Sequence, residues 1–181
     1  MSYKSYKIAS LSRLSPERGI EMLIRAMNLV KNDVVCFIGG EGDSSYKNKL
    51  VNLRDSYGLQ TKIYFVGTIV SPKDFFIGQI IVVNPILIQT GEEYGLSDLE
   101  VLLNKKALIR SWDKTQNVLK HRYNVYHINP LPEKIAGAID YLIDNPDLRK
   151  MLEENGFLTA QRINRLAITQ HYILYKRICD P

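Results

Sequence analysis

Ile80-Ile81-Val82-Val83-Asn84-Pro85, followed shortly by Gln89-Thr90-Gly91-Glu92-Glu93-Tyr94-Gly95-Leu96-Ser97-Asp98-Leu99-Glu100, is the stretch on which the fold turns. The β-branched run stopped by a proline predicts a buried strand that gives way to a loop. Leu99, Val101, Leu102 and Leu103 then predict a helix with an apolar face. The polar, flexible and acidic residues in between therefore lie at the carboxyl end of a strand and the amino end of the next helix, where open α/β sheets place ligands. The free N–H groups and the positive end of the helix dipole favour an anion there.

Glu92, Tyr94-Gly95-Leu96 and Glu100 resemble the Glu, seven residues, Glu signature of retaining glycosyltransferases of the GT-B fold, best known from glycosyltransferase family 4 (glycosyl transferases group 1). Glu93 departs from it, standing where a glycine is usual. The resemblance implies a nucleotide-diphosphate sugar as donor. Glu92 would face the sugar as the catalytic residue, the backbone amides of Gly95 and Leu96 would hold phosphate, and Glu100 would hold the ribose hydroxyls. A structural alternative stands beside the last role, because Ser97-Asp98-Leu99-Glu100 also fits a capping box with Ser97 as cap and Glu100 reaching back.

Towards the amino terminus, Ile8-Ala9-Ser10-Leu11 is a short apolar run, and Ser15-Pro16-Glu17 has the parts of a helix start: a cap, a proline for the first position and an acid for the first turn. Ile20, Leu23, Ile24 and Met27 supply the buried face of that helix. Arg13 and Arg18 flank its start, and two guanidiniums so placed can clamp a diphosphate. The segment resembles the family's Gly-Arg-Leu and Pro-Glu-Lys-Gly, with Ser12 for glycine and Arg18 for lysine. Val34 to Ile38 predicts a second strand, ending in Gly39-Gly40-Glu41-Gly42; Gly40 and Gly42 match the family's Gly-x-Gly. The residues alone leave two uses open, a tight turn or close backbone approach to a ligand. Tyr46, Leu50, Leu53 and Tyr57 predict an amphipathic helix that Gly58 stops. Ile63, Phe65 and Gly67 match a further family strand, which implies that the backbone at Val66 and Gly67 lies on the base side of the donor.

Beyond the central stretch, Lys106 to Arg110 predicts a strand, although Lys105 and Ala107 replace the family's glycine and proline. The loop Trp112-Asp113-Lys114-Thr115-Gln116-Asn117 departs from the family, and no site residue is carried across it. Val125 to Pro130 predicts a last strand and turn, and Pro132-Glu133 opens a helix with Ile135, Ile139 and Leu142 inward. Asn145-Pro146-Asp147 starts another, read as ending near Gly156, and a long amphipathic helix is expected near 157–178. Strand and helix alternate throughout, which argues a Rossmann-like, doubly wound parallel sheet with helices on both faces, one half of a GT-B architecture by the resemblance.

Composition narrows the function classes. At 181 residues and 45% apolar, the chain suits one domain over 1–181 with a sizeable core. Its 24 basic and 19 acidic residues are interspersed, so a net charge of +5 demands no nucleic acid. Cys36 and Cys179 are too few for a disulfide framework and point to a reducing compartment. No apolar run approaches the roughly 18 residues of a spanning helix, and the amino terminus lacks a signal-peptide core. His121, His127 and His171 have no carboxylate or cysteine at ligand spacing, so no metal is expected. P-loop, dinucleotide and nucleophile-elbow motifs are missing.

The expectation is therefore the donor-binding domain of a retaining glycosyltransferase of hexosyl type, incomplete by itself. It needs no cofactor, because Arg13, Arg18 and a helix end supply the charge a metal would bring. The resemblance implies an acceptor, a glycan, lipid or protein, held by an N-terminal domain or partner subunit. It places the chain in the cytoplasm, with room for peripheral association at the inner face of a membrane. A non-catalytic nucleotide-sugar-binding or regulatory module is the alternative reading.

Overall fold

The structure, a computed structural model, describes residues 5–87, 94–111 and 117–179, with 168–179 described by backbone alone. Strands β1 (Tyr6–Leu11), β2 (Val34–Gly39), β3 (Ile63–Gly67), β4 (Ile81–Asn84), β5 (Ala107–Ser111) and β6 (Tyr126–Ile128) form one parallel sheet in the order β3-β2-β1-β4-β5-β6. Winding runs outward from β1 to β3, then returns past β1 to β4. The reversal between β1 and β4 opens a crevice at the carboxyl edge, the usual ligand position in such sheets.

The strands are short β-branched runs because both of their faces are covered. Ile8, Ile81, Val83, Ala107 and Ile109 pack into one core with helices α1 (Ile20–Met27), α2 (Ser44–Ser56) and α5 (Pro132–Asp144). The alternate residues Ala9, Val82 and Leu108 pack into a second core with α4 (Leu96–Leu103) and α6 (Pro146–Cys179). The period of two thus sends successive side chains to opposite helical layers. Cys36 lies wholly inside the first core, and burial pushes its thiol up to about 12. The short helix α3 (Pro72–Phe75) is capped by Ser71, whose Oγ accepts the Asp74 N–H at 3.3 Å.

Two helix boundaries differ from the sequence reading. Ser15-Pro16-Glu17 does not begin α1; it opens a separate 3-10 turn, Pro16–Arg18, in which the Ser15 hydroxyl donates to Glu17 Oε1 at 2.6 Å instead of capping a backbone N–H. The chain then reverses through Gly19 at φ +69°, and α1 starts at Ile20. Gly156, read as a terminator, lies inside one continuous helix of 34 residues. Its missing side chain serves packing, since a Cβ there would come within 2.7 Å of Leu102 Cδ2 on α4. Among the described residues no helix is long and apolar enough to cross a membrane.

Candidate functional site

Three loops meet at the carboxyl edge around the β1–β4 reversal. The first leaves β1 and carries Arg13 and Arg18. Its backbone is fixed against the loop after β2: the Ser12 N–H donates to Gly39 O at 3.1 Å and the Leu14 N–H to Glu41 O at 2.9 Å. Gly40 and Gly42 are glycines for this reason, because a Cβ would fall 1.9 Å from Ser12 O or 2.0 Å from Leu14 O. The close approach they serve here is backbone to backbone. The loop after β3 joins the same cluster where the Gly40 N–H donates to Gly67 O at 2.8 Å, beside half-exposed Val66.

The turn bearing Arg18 is also fastened to the chain leaving β4. The Leu87 N–H donates to Glu17 O at 2.8 Å, and Gly19 sits so tightly on Pro85 that a Cβ would lie 1.8 Å from its carbonyl oxygen. The Ser15 hydroxyl chiefly, with smaller help from the Arg13 and Arg18 guanidiniums, holds the Glu17 carboxyl below its ordinary range. Arg13 remains largely exposed, at 3.9 Å from Glu17. Arg18 is half-buried, and its Nε is shielded from solvent with no hydrogen-bond partner. A buried guanidinium N–H left without an acceptor is costly, and an incoming anion is the natural acceptor.

Helix α4 meets this junction through a buried polar chain. Gly95 is its N-cap, and its N–H donates to Asp98 Oδ2 at 3.1 Å. Asp98 is fully buried, accepts from Asn84 Nδ2 at 2.9 Å and pairs with Arg110 Nε at 3.0 Å. Asn84 Oδ1 in turn accepts the Leu11 N–H at 3.4 Å, so the ends of β1, β4 and β5 are tied to one helix start. This overturns the alternative reading of a capping box at Ser97 and Glu100. The helix begins one residue before Ser97, so the carboxylate three positions past the cap is Asp98, and Glu100 lies too far along to reach back. Glu100 is left half-buried on α4 with its carboxylate free of any such task. Because the Gly95 N–H is committed to Asp98, the N–H groups of Leu96 and Ser97 are the first without an intrahelical acceptor.

Glu92 lies outside the described residues, as does the loop 112–116. The structure brings Arg13, Arg18, Gly40, Gly42, Val66 and Gly67 to one edge with the start of α4, where Gly95, Leu96 and Glu100 lie. Sequence reasoning passed over Gly19, Asn84, Asp98 and Arg110. A signal existed for the last three: each is a polar residue set in or beside an apolar run. His127, read as packed or on the surface, is packed. It is 4% exposed, with its ring nitrogens 3.1 Å from Ser111 O and 3.0 Å from Leu119 O. His121 Nδ1 accepts the His127 N–H at 3.0 Å, and burial above all, with His127 and Arg122, lowers the pKa of His121.

A family model described as glycosyl transferases group 1 matches residues 2–159. No curated protein sequence gives a significant match. Among solved structures, a glycosyltransferase from Rickettsia africae ESF-5 is similar at 22% identity and TM-score 0.85, over 98% of this chain and 49% of its own. Anabaena Alr3699/HepE in complex with UDP and glucose is similar at 20% identity and TM-score 0.84, over 94% and 48%. The C-terminal domain of the glycosyl transferase group 1 protein LpcC from Francisella tularensis is similar at 24% identity and TM-score 0.73, over 87% and 85%. The chain spans about half the length of the first two. At these identities the likeness is one of fold.

Proposed function

From the premise that the chain belongs to the glycosyl transferases group 1 family, we propose that it is the donor-binding domain of a retaining glycosyltransferase. It would present a nucleotide-diphosphate sugar, of hexosyl type, to an acceptor held by an N-terminal domain or a partner subunit, in the cytoplasm. The observation that carries this reading is the junction at the β1–β4 reversal, where the Arg18 turn is bonded through Glu17 O and Leu87 N to the chain running from β4 towards α4. One crevice thereby gathers two guanidiniums and a helix amino end, a set that suits a diphosphate.

In this reading Arg13 and Arg18 take the diphosphate oxygens, with Arg18 Nε gaining the acceptor it lacks. The Leu96 N–H approaches the same phosphates, more directly than that of Gly95. Glu100 accepts the ribose hydroxyls, a role favoured by its release from capping. Backbone at Gly40, Gly42, Val66 and Gly67 borders the base, and Glu92 faces the sugar. The positive charge comes from side chains, so the nucleotide binds without a divalent cation. The HepE structure, which holds UDP and glucose on a similar fold, supports the ligand class.

Calorimetric titration of UDP, GDP and ADP and their sugar esters, with magnesium and with chelator, tests this. One nucleoside diphosphate should bind equally in both, and more weakly as salt rises. Arg18→Ala should cost about 1.5 to 3 kcal/mol of its affinity and Glu100→Gln about 1 to 3, the range for hydrogen bonds to charged groups. Binding that vanishes with chelator would overturn the arginine clamp, and Glu100→Gln binding as tightly as wild type would remove the ribose role.

A further inference from the structure

Two registers are open to the start of α4: Ser97 could cap it with Glu100 as its partner, or Asp98 could grip a start at Gly95. The structure takes the second. Asp98 Oδ2 accepts the Gly95 N–H at 3.1 Å, and Oδ1 accepts from Asn84 Nδ2 at 2.9 Å. Arg110 Nε stands 3.0 Å from Oδ2. Asn84 and Arg110 are register partners at the ends of β4 and β5, so the sheet itself holds the carboxylate. Asp98 is fully buried and Arg110 is 6% exposed. A serine cap would require no such desolvation, and a buried ion pair is often no more stabilising than an apolar pair of similar volume. Stability alone therefore does not explain a charge at this place.

The register decides which groups the helix end offers. With the start at Gly95, the N–H groups of Leu96 and Ser97 lack intrahelical acceptors, and Leu96, 82% exposed, leaves the first turn open. With the start at Ser97, the Ser97 hydroxyl would accept the Glu100 N–H and the Glu100 carboxylate would fold back onto the Ser97 N–H. Both Glu100 and that N–H would then be withdrawn from the crevice. A lone carboxylate so near an anion site would repel the anion. The Arg110 guanidinium cancels that charge within the fold.

We propose that Asp98 is a positioning residue for anion binding. It selects the Gly95 start of α4, which presents the Leu96 and Ser97 N–H groups to the crevice, while Arg110 keeps the charge of Asp98 from opposing the phosphates. This role rests on the reading of the crevice as a diphosphate site.

Two double variants of the 181-residue chain separate the grip from the charge. Asp98→Asn/Arg110→Gln removes both charges and keeps an amide oxygen to accept the Gly95 N–H. Asp98→Leu/Arg110→Met keeps side chains of similar bulk and no acceptor. Wild type and both variants are titrated with inorganic pyrophosphate, UDP, GDP and ADP, and their urea midpoints are measured. Amide hydrogen exchange at Gly95, Leu96 and Ser97 is followed in the wild type with and without the ligand that binds.

The first variant should stay within about threefold of wild-type affinity, and the second should bind about tenfold more weakly, the loss expected for charge-assisted hydrogen bonds. Their urea midpoints should remain alike. In the wild type Gly95 should exchange slowly throughout, whereas Leu96 and Ser97 should slow only when the ligand binds. The role is overturned if the second variant binds as tightly as wild type, if both variants lose affinity alike, or if the second loses stability in step with affinity. Should either variant not fold, the wild-type amides decide: Gly95 exchanging as freely as Leu96, or no slowing at Leu96 and Ser97 on binding, overturns it. Wild type that binds none of the four ligands would instead overturn the diphosphate reading, and this role with it.

Discussion

Helices α1 and α4 leave adjacent strands at the same edge of the sheet and pack on opposite faces, yet their amino ends are held in place by different physics. The start of α1 is held by shape. No side chain caps it; Gly19 turns the chain at φ +69° with its backbone pressed on Pro85. The start of α4 is held by charge. Gly95 there is extended and in open space, and a buried carboxylate, Asp98, grips its N–H while Asn84 and Arg110 grip the carboxylate. A sheet that must keep two helix ends aimed at one crevice can thus use steric exclusion on one side and a desolvated ion pair on the other. The two solutions fail in different ways.

Removing the charge should give the largest effect. Asp98→Ala leaves Arg110 buried without its carboxylate, and such breakage costs about 3 to 5 kcal/mol. Urea denaturation measures it, and a loss under about 1 kcal/mol would show that α4 does not depend on this pair. Testing the shape comes next. Gly19→Ala drives a Cβ into Pro85 O from a left-handed backbone, so a loss of about 3 kcal/mol is expected. Gly95→Ala, with φ −107° and nothing near its Cβ, should stay within about 0.5 kcal/mol. Equal losses from the two glycine variants would erase the contrast between the ends.

The smallest effect lies in pH. The Glu17 carboxyl titrates below its ordinary 4.5, chiefly because the Ser15 hydroxyl donates to it. Its folded pKa is depressed, so its contribution is complete above pH 4.5 and is lost as pH falls through the lower folded value. The carboxylate is substantially exposed, so the contribution is small. Comparing urea midpoints of wild type and Glu17→Gln at pH 6 and pH 3, the gap should narrow at the lower pH; a constant gap would remove the electrostatic component from the α1 turn.

The alternation of strands and helices and the buried faces of α1 and α5 were legible in the sequence, because they follow from local periodicity. The helix starts were less so. Ser15-Pro16-Glu17 satisfies the first turn of a 3-10 segment as well as that of an α-helix, and only the contact of Gly19 with Pro85, remote in sequence, decides between them. Ser97 and Glu100 have the spacing of a capping box, but Asp98 wins because Asn84 and Arg110, from two other strands, stabilise its carboxylate. Gly156 looked like a terminator for a similar reason, since its constraint is Leu102 on another helix.

The sealed position of Cys36 makes the chain its own stopwatch. With the thiol buried and its pKa pushed up to about 12, almost no thiolate exists at neutral pH, and the thiolate is what an alkylating reagent attacks. Modification of Cys36 must await an opening that parts β2 from α1 and α2 or unfolds the domain. The rate at which this sulfur is capped therefore counts such openings. Any slowing of that rate by an added nucleotide would read out, without a transferable sugar or an acceptor, how much the ligand tightens the sheet beneath it.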